Sequence, residues 1–412
     1  MRVVILGAGP AGLSVAERLR ELAPVGDLDL DVVYDEPYPP YSPPAMADHF
    51  LTGREDPLYW KGTDVLERLG VTHHQAVCQA VDPQARQVSL SSGATLDYDR
   101  LVITTGSRLH AELPGVELAG VYDFKSLRTA TSLVERARRG EVSSALIVGA
   151  GFIGVEVALL LCDLGLDVTM ISRRWVMPRG VDPETGDVVL AALQARGVAV
   201  RQYQPAEAFE GDTEVEAVRL DGGERLRADV YVAATGVKPN LECLAGSGIA
   251  RDWGVTVDDD LRTSDADVYA AGDVAETRDR LTGERYVHAI FPNAVAQGRV
   301  VAERLVGLDT VYEGAEAMNS LKHLGVPVVA AGVPTGEELR LRDGPVLRKL
   351  FVDDGRITGF QLAGDIRGAG IYRRLMLTHT DVRGYGPHLL EPTFGAGAIA
   401  MRAMAGVGAG AG

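Results

Sequence analysis

The sequence of 412 residues predicts an α/β protein with two similar parallel-sheet units and a smaller α+β domain at its C-terminal end. Two observations lead to this prediction. Residues 2–19 and 144–161 both contain a short apolar run, a G-x-G-x-x-G turn and apolar positions at helical spacing, which is the pattern of a strand, a tight turn and a helix. Residues 346–362 contain two strand-like runs around an Asp-Asp-Gly turn, and an Asp-Gly pair is typical of an antiparallel hairpin.

The composition excludes several classes of protein. With 46% hydrophobic and 24% charged residues, the chain is ordinary for a globular protein rather than a disordered one. Its net charge of -16 argues against a nucleic-acid partner, which would require a basic surface. Three cysteines are too few for a disulfide scaffold and favour the reducing cytoplasm. Glu156 and Asp163 interrupt the more apolar repeat, so we expect neither a transmembrane helix nor a membrane partner.

The first repeat meets the sequence requirements of a dinucleotide-binding turn. In such a turn the first glycine allows a tight bend, the second lets the backbone approach a pyrophosphate, and the third lets the helix pack on the strand. The N-terminus of the helix then faces the negative charge, and an acid about 20 residues further along binds a ribose. This first predicted site consists of Gly7, Gly9, Pro10, Ala11, Gly12, Asp35 and Glu36.

The second repeat predicts another dinucleotide site with a different specificity. Where an acid would be expected for NAD, the next strand is followed by Ser172-Arg173-Arg174. Arginines can hold a 2′-phosphate through bidentate hydrogen bonds, whereas an acid would repel it. Two arginines can also be a solvated turn, so NADPH is favoured and NADH stays open. The second predicted site consists of Gly149, Gly151, Phe152, Ile153, Gly154, Ser172, Arg173 and Arg174.

Together with these turns, later motifs resemble the FAD-dependent pyridine nucleotide-disulfide oxidoreductase superfamily over nearly the whole chain. The matching segments are GAGPAG, Thr104-Thr105-Gly106, GAGFIGVE, Ala234-Thr235-Gly236 and TSDADVYAAGDVAE. The resemblance implies that Asp273 bonds the ribityl or pyrophosphate part of FAD, and that the helix opening with FPNAVAQGR points its N-terminus at the flavin. A helix dipole there would stabilise the reduced flavin. The contacts implied by these later motifs are Thr105, Gly106, Gly236, Gly272, Asp273, Phe291, Asn293 and Ala294.

The resemblance also implies a fold of two Rossmann-like dinucleotide-binding domains, for FAD and NAD(P), plus a C-terminal α+β domain. We expect a discontinuous FAD-binding domain in residues 1–113 and 237–311, with the NAD(P)-binding domain, residues 114–236, inserted between its two parts. Residues 312–412 would form the C-terminal domain. That domain is expected to end in a disordered tail, because the last residues are of low complexity.

The loop EPYPPYSPPAMADHFLTG at residues 36–53 indicates the branch of the superfamily. Disulfide-reducing members carry redox cysteines in this loop, and this chain has none there. The loop instead resembles the ferredoxin and rubredoxin reductases and the flavoprotein part of NAD(P)H-nitrite reductases. It departs from that group at Pro43, where relatives commonly have arginine, and it offers Ala47 and Asp48 where ferredoxin reductases often carry a lysine. Phe291 also stands where relatives often have tryptophan.

The resemblance implies an FAD-dependent NAD(P)H oxidoreductase that transfers hydride from NAD(P)H to FAD and then electrons to a ferredoxin- or rubredoxin-like iron–sulfur protein. Glu156 is the expected catalytic residue, because it would lie near the nicotinamide and orient it. Two alternatives stay open: an oxidase or small-molecule reductase acting on O₂, a quinone or a biosynthetic intermediate, and a redox-sensing protein that responds to nucleotide binding. A homodimer also stays open. No metal site is predicted, because His73-His74 and His288 do not have a known ligand spacing.

Overall fold

A computed structural model of the chain describes residues 1–24, 26–321, 323–395 and 397. The C-terminal tail, for which disorder is predicted, lies outside this range from residue 398 onward. No helix in the described part is long and apolar enough to cross a membrane. The helices are α1 (Pro10–Leu22), α2 (Met46–Thr52), α3 (Val65–Arg68), α4 (Leu127–Arg138), α5 (Phe152–Asp163), α6 (Pro183–Ala195), α7 (Phe291–Leu305) and α8 (Ala369–Leu377).

The strands form two parallel sheets, one small mixed sheet and several antiparallel ones. In chain order they are β1 (Arg2–Leu6), β2 (Asp29–Tyr34), β3 (Thr72–Gln75), β4 (Cys78–Asp82), β5 (Gln87–Leu90), β6 (Thr95–Asp97), β7 (Arg100–Ile103), β8 (Ser107–His110), β9 (Val121–Tyr122), β10 (Ser144–Val148), β11 (Asp167–Ile171), β12 (Ala199–Arg201), β13 (Ala206–Glu210), β14 (Ala217–Leu220), β15 (Arg225–Leu226), β16 (Val230–Ala233), β17 (Gly236–Pro239), β18 (Val255–Thr256), β19 (Val268–Ala270), β20 (Ala275–Arg278), β21 (Arg285–Val287), β22 (Met318–Leu321), β23 (Val328–Gly332), β24 (Glu337–Asp343), β25 (Val346–Asp353) and β26 (Arg356–Ala363).

The two parallel sheets carry the two glycine turns. The strand order is β19-β7-β1-β2-β3 in the first sheet and β12-β11-β10-β16-β9 in the second, and every neighbouring pair in both is parallel. After the central strand β1 or β10, the next two strands lie on one side of it and a later strand, β7 or β16, lies on the other side; β9, which precedes β10 in the chain, forms the edge beside β16. A crevice opens at such a reversal, at the carboxyl ends of the central strands β1 and β10. The predicted pair of Rossmann-like units is therefore confirmed.

The first unit is held together by apolar central strands and a close helix contact. Residues 3–6 of β1 are buried, as expected for a parallel sheet with both faces covered. Helix α7 packs closely on α1 at Gly298, where a Cβ atom would meet the carbonyl oxygen of Ala11 at 2.4 Å. At the start of α7, the Cβ of Ala294 lies 3.6 Å from a Cβ placed on Gly272. The N-terminus of α7 thus lies beside the crevice of the first sheet.

The large antiparallel sheet forms the predicted α+β domain with α8. Its strand order is β22-β23-β26-β25-β24, and the predicted hairpin is confirmed, with positive φ angles of 43° at Asp354 and 71° at Gly355. Successive side chains of β25 point to opposite faces of the sheet. Leu347 belongs to the apolar core of the second parallel unit, whereas Leu350 packs with Tyr372 of α8. The sheet therefore lies between the second unit and α8.

Candidate functional site

In the first glycine turn, two glycines are required by the protein's own packing and one faces open space. A Cβ atom on Gly7, whose φ is 113°, would meet the carbonyl oxygen of Thr104 at 2.2 Å, and a Cβ on Gly12 would meet the carbonyl oxygen of Gly7 at 2.0 Å. A Cβ on Gly9 would have no protein atom within 4 Å. Gly9 also precedes α1 without a side-chain cap, so the first N–H groups of the helix can bind an anion.

The second glycine turn repeats this arrangement. A Cβ on Gly149 would meet the carbonyl oxygen of Ala234 at 2.3 Å, a Cβ on Gly154 would meet the carbonyl oxygen of Gly149 at 2.2 Å, and Gly151 has open space around it. Gly151 precedes α5 without a side-chain cap. The first two residues of α5, Phe152 and Ile153, are half-buried.

The two candidate ribose acids of the first site have different surroundings. Asp35 is exposed, while Glu36 is half-buried. The Glu36 carboxylate accepts a hydrogen bond from the hydroxyl of Tyr41, but burial still raises the pKa of Glu36. Its Oε2 atom is buried without a hydrogen-bond partner among the described residues. A buried carboxylate oxygen without a donor is unfavourable, and the two hydroxyls of a ribose are donors that fit it. The open Gly9 and this oxygen together fit an FAD adenosine diphosphate.

The basic pair of the second site follows β11 at the protein surface. Ser172 is buried after β11, and its Oγ accepts a hydrogen bond from the backbone N–H of Arg174. Arg173 and Arg174 are exposed and form no ion pair with any residue that the structure describes. A third arginine, which the sequence analysis missed, is also exposed here: Nη1 of Arg179 lies 3.8 Å from a Cβ placed on Gly236.

Asp273 follows β19 and is held by two partners. Its Oδ2 accepts hydrogen bonds from the hydroxyl of Ser107 at 2.9 Å and from Nζ of Lys125 at 2.6 Å. The sequence analysis missed Lys125, because it lies 148 residues away in the chain and in no recognised motif. Its ammonium adds a positive charge beside the crevice of the first sheet, where a pyrophosphate would require one.

The predicted residues between the two units form a polar link. Thr105 donates its hydroxyl to the backbone oxygen of Asn240 at 2.7 Å, and the Asn240 amide donates to the backbone oxygen of Thr105 at 2.9 Å. Gly106 follows with a φ of 68°. Gly236 begins β17, which pairs antiparallel with β8. These contacts therefore join the two segments, near residues 105–110 and 236–240, through which the chain passes between the two units.

The predicted residues at the start of α7 are buried or half-buried and make packing contacts. Asn293 is buried, and its side chain both donates to the backbone oxygen of Glu316 and accepts from its N–H, at 3.0 and 3.1 Å. Gly272 donates its N–H to the side chain of Gln297 at 2.7 Å. Phe291 packs edge-on against Trp60, with ring centroids 5.5 Å apart. The side chain of Asn293 thus fixes the start of α7 to the C-terminal domain.

Glu156 is the remaining predicted site residue, and the three cysteines, which were not predicted to act, lie in other places. Glu156 is half-buried in α5, five residues after Gly151. Cys78 lies in β4 and touches Cys243, a contact that raises the pKa of the Cys78 thiol. Cys162 lies at the C-terminal end of α5, away from the glycine turn. In the described part of the chain, no three histidine, cysteine or acidic residues are placed to bind a metal ion.

Two crevices of this kind in one chain define an oxidoreductase with two dinucleotide sites. Residues 1–298 match the model of the family described as pyridine nucleotide-disulphide oxidoreductases, and the chain belongs to this family. The resemblance found in the sequence is thereby confirmed. The chain is accordingly an FAD-dependent oxidoreductase that uses a nicotinamide nucleotide.

Named relatives include electron-transfer flavoproteins. The chain is 28% identical over 405 residues to the assimilatory nitrate reductase electron transfer subunit of Bacillus subtilis, covering 95% of this chain and 51% of that protein. It therefore spans about half the length of that relative. It is 31% identical over 319 residues to the rubredoxin-NAD(+) reductase of Pseudomonas putida, covering 75% and 81% of the two chains. The solved structure of a ferredoxin reductase from Rhodopseudomonas palustris superposes with a TM-score of 0.83 at 26% identity, over 92% of this chain and 95% of the other.

Proposed function

We propose that this protein is an NADPH-preferring, FAD-dependent reductase that passes electrons to a ferredoxin- or rubredoxin-like iron–sulfur protein. The observation that carries the proposal is a complete pair of dinucleotide crevices without a cysteine relay, since the loop at residues 36–53 has no cysteine. Disulfide reduction requires a thiolate that attacks the disulfide, and Cys78, Cys162 and Cys243 all lie outside that loop. The rubredoxin and ferredoxin reductases among its relatives support the choice of acceptor.

In the proposed FAD site, each residue has a binding role. The backbone at Gly9 and the start of α1 would hold the pyrophosphate, and Glu36 would accept hydrogen bonds from the adenosine ribose. Lys125 and Asp273 would supply a donor and an acceptor at the opposite side of the crevice. When bound, FAD supplies the redox chemistry, taking hydride from the nicotinamide and releasing electrons to the acceptor. The pairing of β8 with β17 supports the proposed domain boundaries near residues 113 and 236.

In the proposed nicotinamide site, the chain binds and orients the substrate. Gly151 and the N-terminus of α5 would take the pyrophosphate, and Glu156 would orient the nicotinamide. Arg173 and Arg174 support a preference for NADPH, because neither is engaged by an acid among the described residues and both can hydrogen-bond a 2′-phosphate. Arg179 adds a third cation on the same loop. Rate acceleration would come mainly from holding the nicotinamide and the flavin close together in the correct orientation.

Anaerobic stopped-flow mixing of the FAD-loaded protein with NADPH and with NADH tests the proposal. We expect both nucleotides to bleach the flavin absorbance, with a higher kcat/KM for NADPH. Adding a ferredoxin or rubredoxin should then accelerate the reduction of cytochrome c. If neither nucleotide bleaches the flavin, the reductase function is wrong, and a nucleotide-dependent change in molecular size would favour redox sensing. Oxygen consumption that no carrier can suppress would favour an oxidase.

A further inference from the structure

Arg173, Arg174 and Arg179, which form no ion pair with any residue in the described part of the chain, lie between β11 and α6. We call residues 173–182, between β11 and α6, the nucleotide loop. At its inner part the loop is fixed to the glycine turn, because the N–H of Met177 donates to the carbonyl oxygen of Ala150 at 2.7 Å. Val176 and Met177 are also buried. The middle of the loop is therefore anchored beside the second glycine turn.

The outer end of the nucleotide loop is held by the C-terminal domain. Asp182, the last loop residue, caps α6 by accepting from the N–H of Thr185 at 2.9 Å. Its own N–H donates at 3.1 Å to the side chain of Gln361, a buried residue of β26. Its other carboxylate oxygen accepts from Nζ of Lys349 in β25 at 2.7 Å. Two side chains of the C-terminal sheet thus bond the same loop residue.

Lys349 is the centre of this contact. It is 3% exposed, and its ammonium is also 2.8 Å from Glu184 and 3.3 Å from Glu338. Burial opposes its charge, but the hydrogen bonds to Asp182 and Glu184 outweigh burial, and the pKa of Lys349 is raised. Arg340 of β24 also binds Glu184, and these hydrogen bonds lower the pKa of Glu184 to about 2. Removing a buried cation from such a group leaves the carboxylates to repel one another.

A cavity separates part of the nucleotide loop from the C-terminal sheet. It has a volume of about 220 Å³. Trp175, Pro178 and Arg179 line it from the loop, and Ala331 and Phe351 line it from the sheet. Beside this cavity, the hydrogen bonds of Asp182 to Lys349 and Gln361 connect the outer end of the loop to the sheet.

We propose that the C-terminal sheet sets the affinity for the 2′-phosphate, and that Lys349 is a positioning residue that holds the nucleotide loop through Asp182 and Glu184. The proposal rests on the proposed function, because it assigns the 2′-phosphate to the arginines of this loop. It gives the C-terminal domain a role in nucleotide selection that acts through Asp182 and Glu184.

Calorimetric titration of the FAD-loaded protein with adenosine 2′,5′-bisphosphate and with AMP tests the proposal. Lys349→Met should weaken binding of the bisphosphate by about 3- to 10-fold, the range expected for coupling through a contact, and should leave AMP binding unchanged. The KM for NADPH should rise by the same factor while kcat stays constant. Lys349→Arg should restore most of the affinity, and Arg340→Ala, an exposed substitution, should give a smaller loss in the same direction.

Arg348→Met is the matched control, because Arg348 is the neighbouring buried cation on the other face of β25. It is fully buried and donates to the hydroxyl of Tyr372 at 2.8 Å. Its loss should lower the unfolding temperature without changing the ratio of the two affinities. If Lys349→Met also lowers only the unfolding temperature, the positioning role is wrong.

The two proposals fail in different ways. If Arg173→Ala and Arg174→Ala leave bisphosphate binding unchanged, the proposed 2′-phosphate site itself is wrong. If those variants weaken binding while Lys349→Met and Arg340→Ala do not, the nucleotide site stands and the role of the C-terminal sheet is overturned.

Discussion

The two glycine turns have the same packing, but different side chains follow the next strand. This difference distinguishes residues that the fold requires from residues that could determine which nucleotide binds. In both turns the first and third glycines are packed against the protein's own carbonyl oxygens, and the middle glycine, Gly9 or Gly151, faces open space. Both following helices begin without a side-chain cap. The turn by itself would offer only a place for a pyrophosphate, and in the proposed function the residues after the next strand select the nucleotide.

The residues that follow β2 and β11 have opposite electrostatic character. After β2 stands Glu36, a half-buried acid with one carboxylate oxygen that lacks a donor among the described residues. After β11 stand Arg173 and Arg174, exposed cations without an ion pair in the same part of the chain. An acid can bind the hydroxyls of a ribose, whereas arginines can bind a 2′-phosphate, as we propose for this pair. Among the described residues, Oε2 of Glu36 has no donor and the two arginines have no anionic partner, and the proposed ligands would supply these.

The largest effect is expected from valine at the glycines of the first turn. Gly12→Val should lower the free energy of unfolding by about 1–3 kcal/mol or more, because its side chain collides with the Gly7 carbonyl. Gly9→Val should leave the unfolding temperature of the apoprotein unchanged, because its side chain meets no protein atom. The same substitution should abolish FAD binding, because the side chain would occupy the space proposed for the pyrophosphate. Thermal denaturation and the flavin absorbance of the purified protein measure the two effects.

The second turn provides the matched control. Gly151→Val has the same open surroundings as Gly9→Val, so we expect it to retain FAD and to lose reduction by NADPH. If Gly151→Val lost FAD, or if Gly9→Val unfolded the apoprotein, the division between packing glycines and ligand-facing glycines would be wrong.

A smaller effect is expected from the arginines of the second site. The double substitution Arg173→Ala with Arg174→Ala should lower kcat/KM for NADPH by about 100-fold, because two charge-assisted hydrogen bonds are lost. The value for NADH should change little, since NADH has no 2′-phosphate. Steady-state kinetics with both nucleotides measure the ratio, and Arg227→Ala, at another arginine without an ion pair among the described residues, is the control. Equal losses for both nucleotides would contradict the proposed specificity.

Local sequence patterns predicted the turns, whereas contacts between distant segments could not be predicted from the sequence. The glycine spacing and the Asp354–Gly355 hairpin follow from backbone requirements within a few residues. The choice of Glu36 over Asp35 depends on which side chain is buried, and the contact of Lys125 with Asp273 spans 148 residues. Asn293 is a further case, because its partner Glu316 belongs to a segment that the motif does not include.

A still smaller effect is expected from Glu36→Gln. Loss of the charge should weaken FAD binding by about 10-fold, in line with one charge-assisted hydrogen bond. The apoprotein should become more stable at neutral pH, because burial raises the pKa of Glu36 and the ionised form is disfavoured when folded. For a raised acid pKa, the folded state binds more protons than the unfolded state, so stability falls as the pH rises above the usual value. Denaturant titrations of the wild-type apoprotein and the variant at several pH values measure this difference, which should vanish below the unfolded pKa.

The smallest effect is expected from Glu184, which binds the C-terminal sheet to α6. Its pKa is lowered to about 2 from the usual 4.5, chiefly by hydrogen bonds from Arg340. A lowered acid pKa contributes stability above pH 4.5, and that contribution is lost as the pH falls from 4.5 to about 2. Glu184→Gln should therefore cost about 1 kcal/mol at neutral pH, the upper range for a partly exposed ion pair, and make acid unfolding less steep. Glu337→Gln changes an exposed acid of β24, and its acid unfolding curve should match that of the wild type. If the two variants unfold alike in acid, the ion pairs at Glu184 do not stabilise the contact between the C-terminal sheet and the second unit.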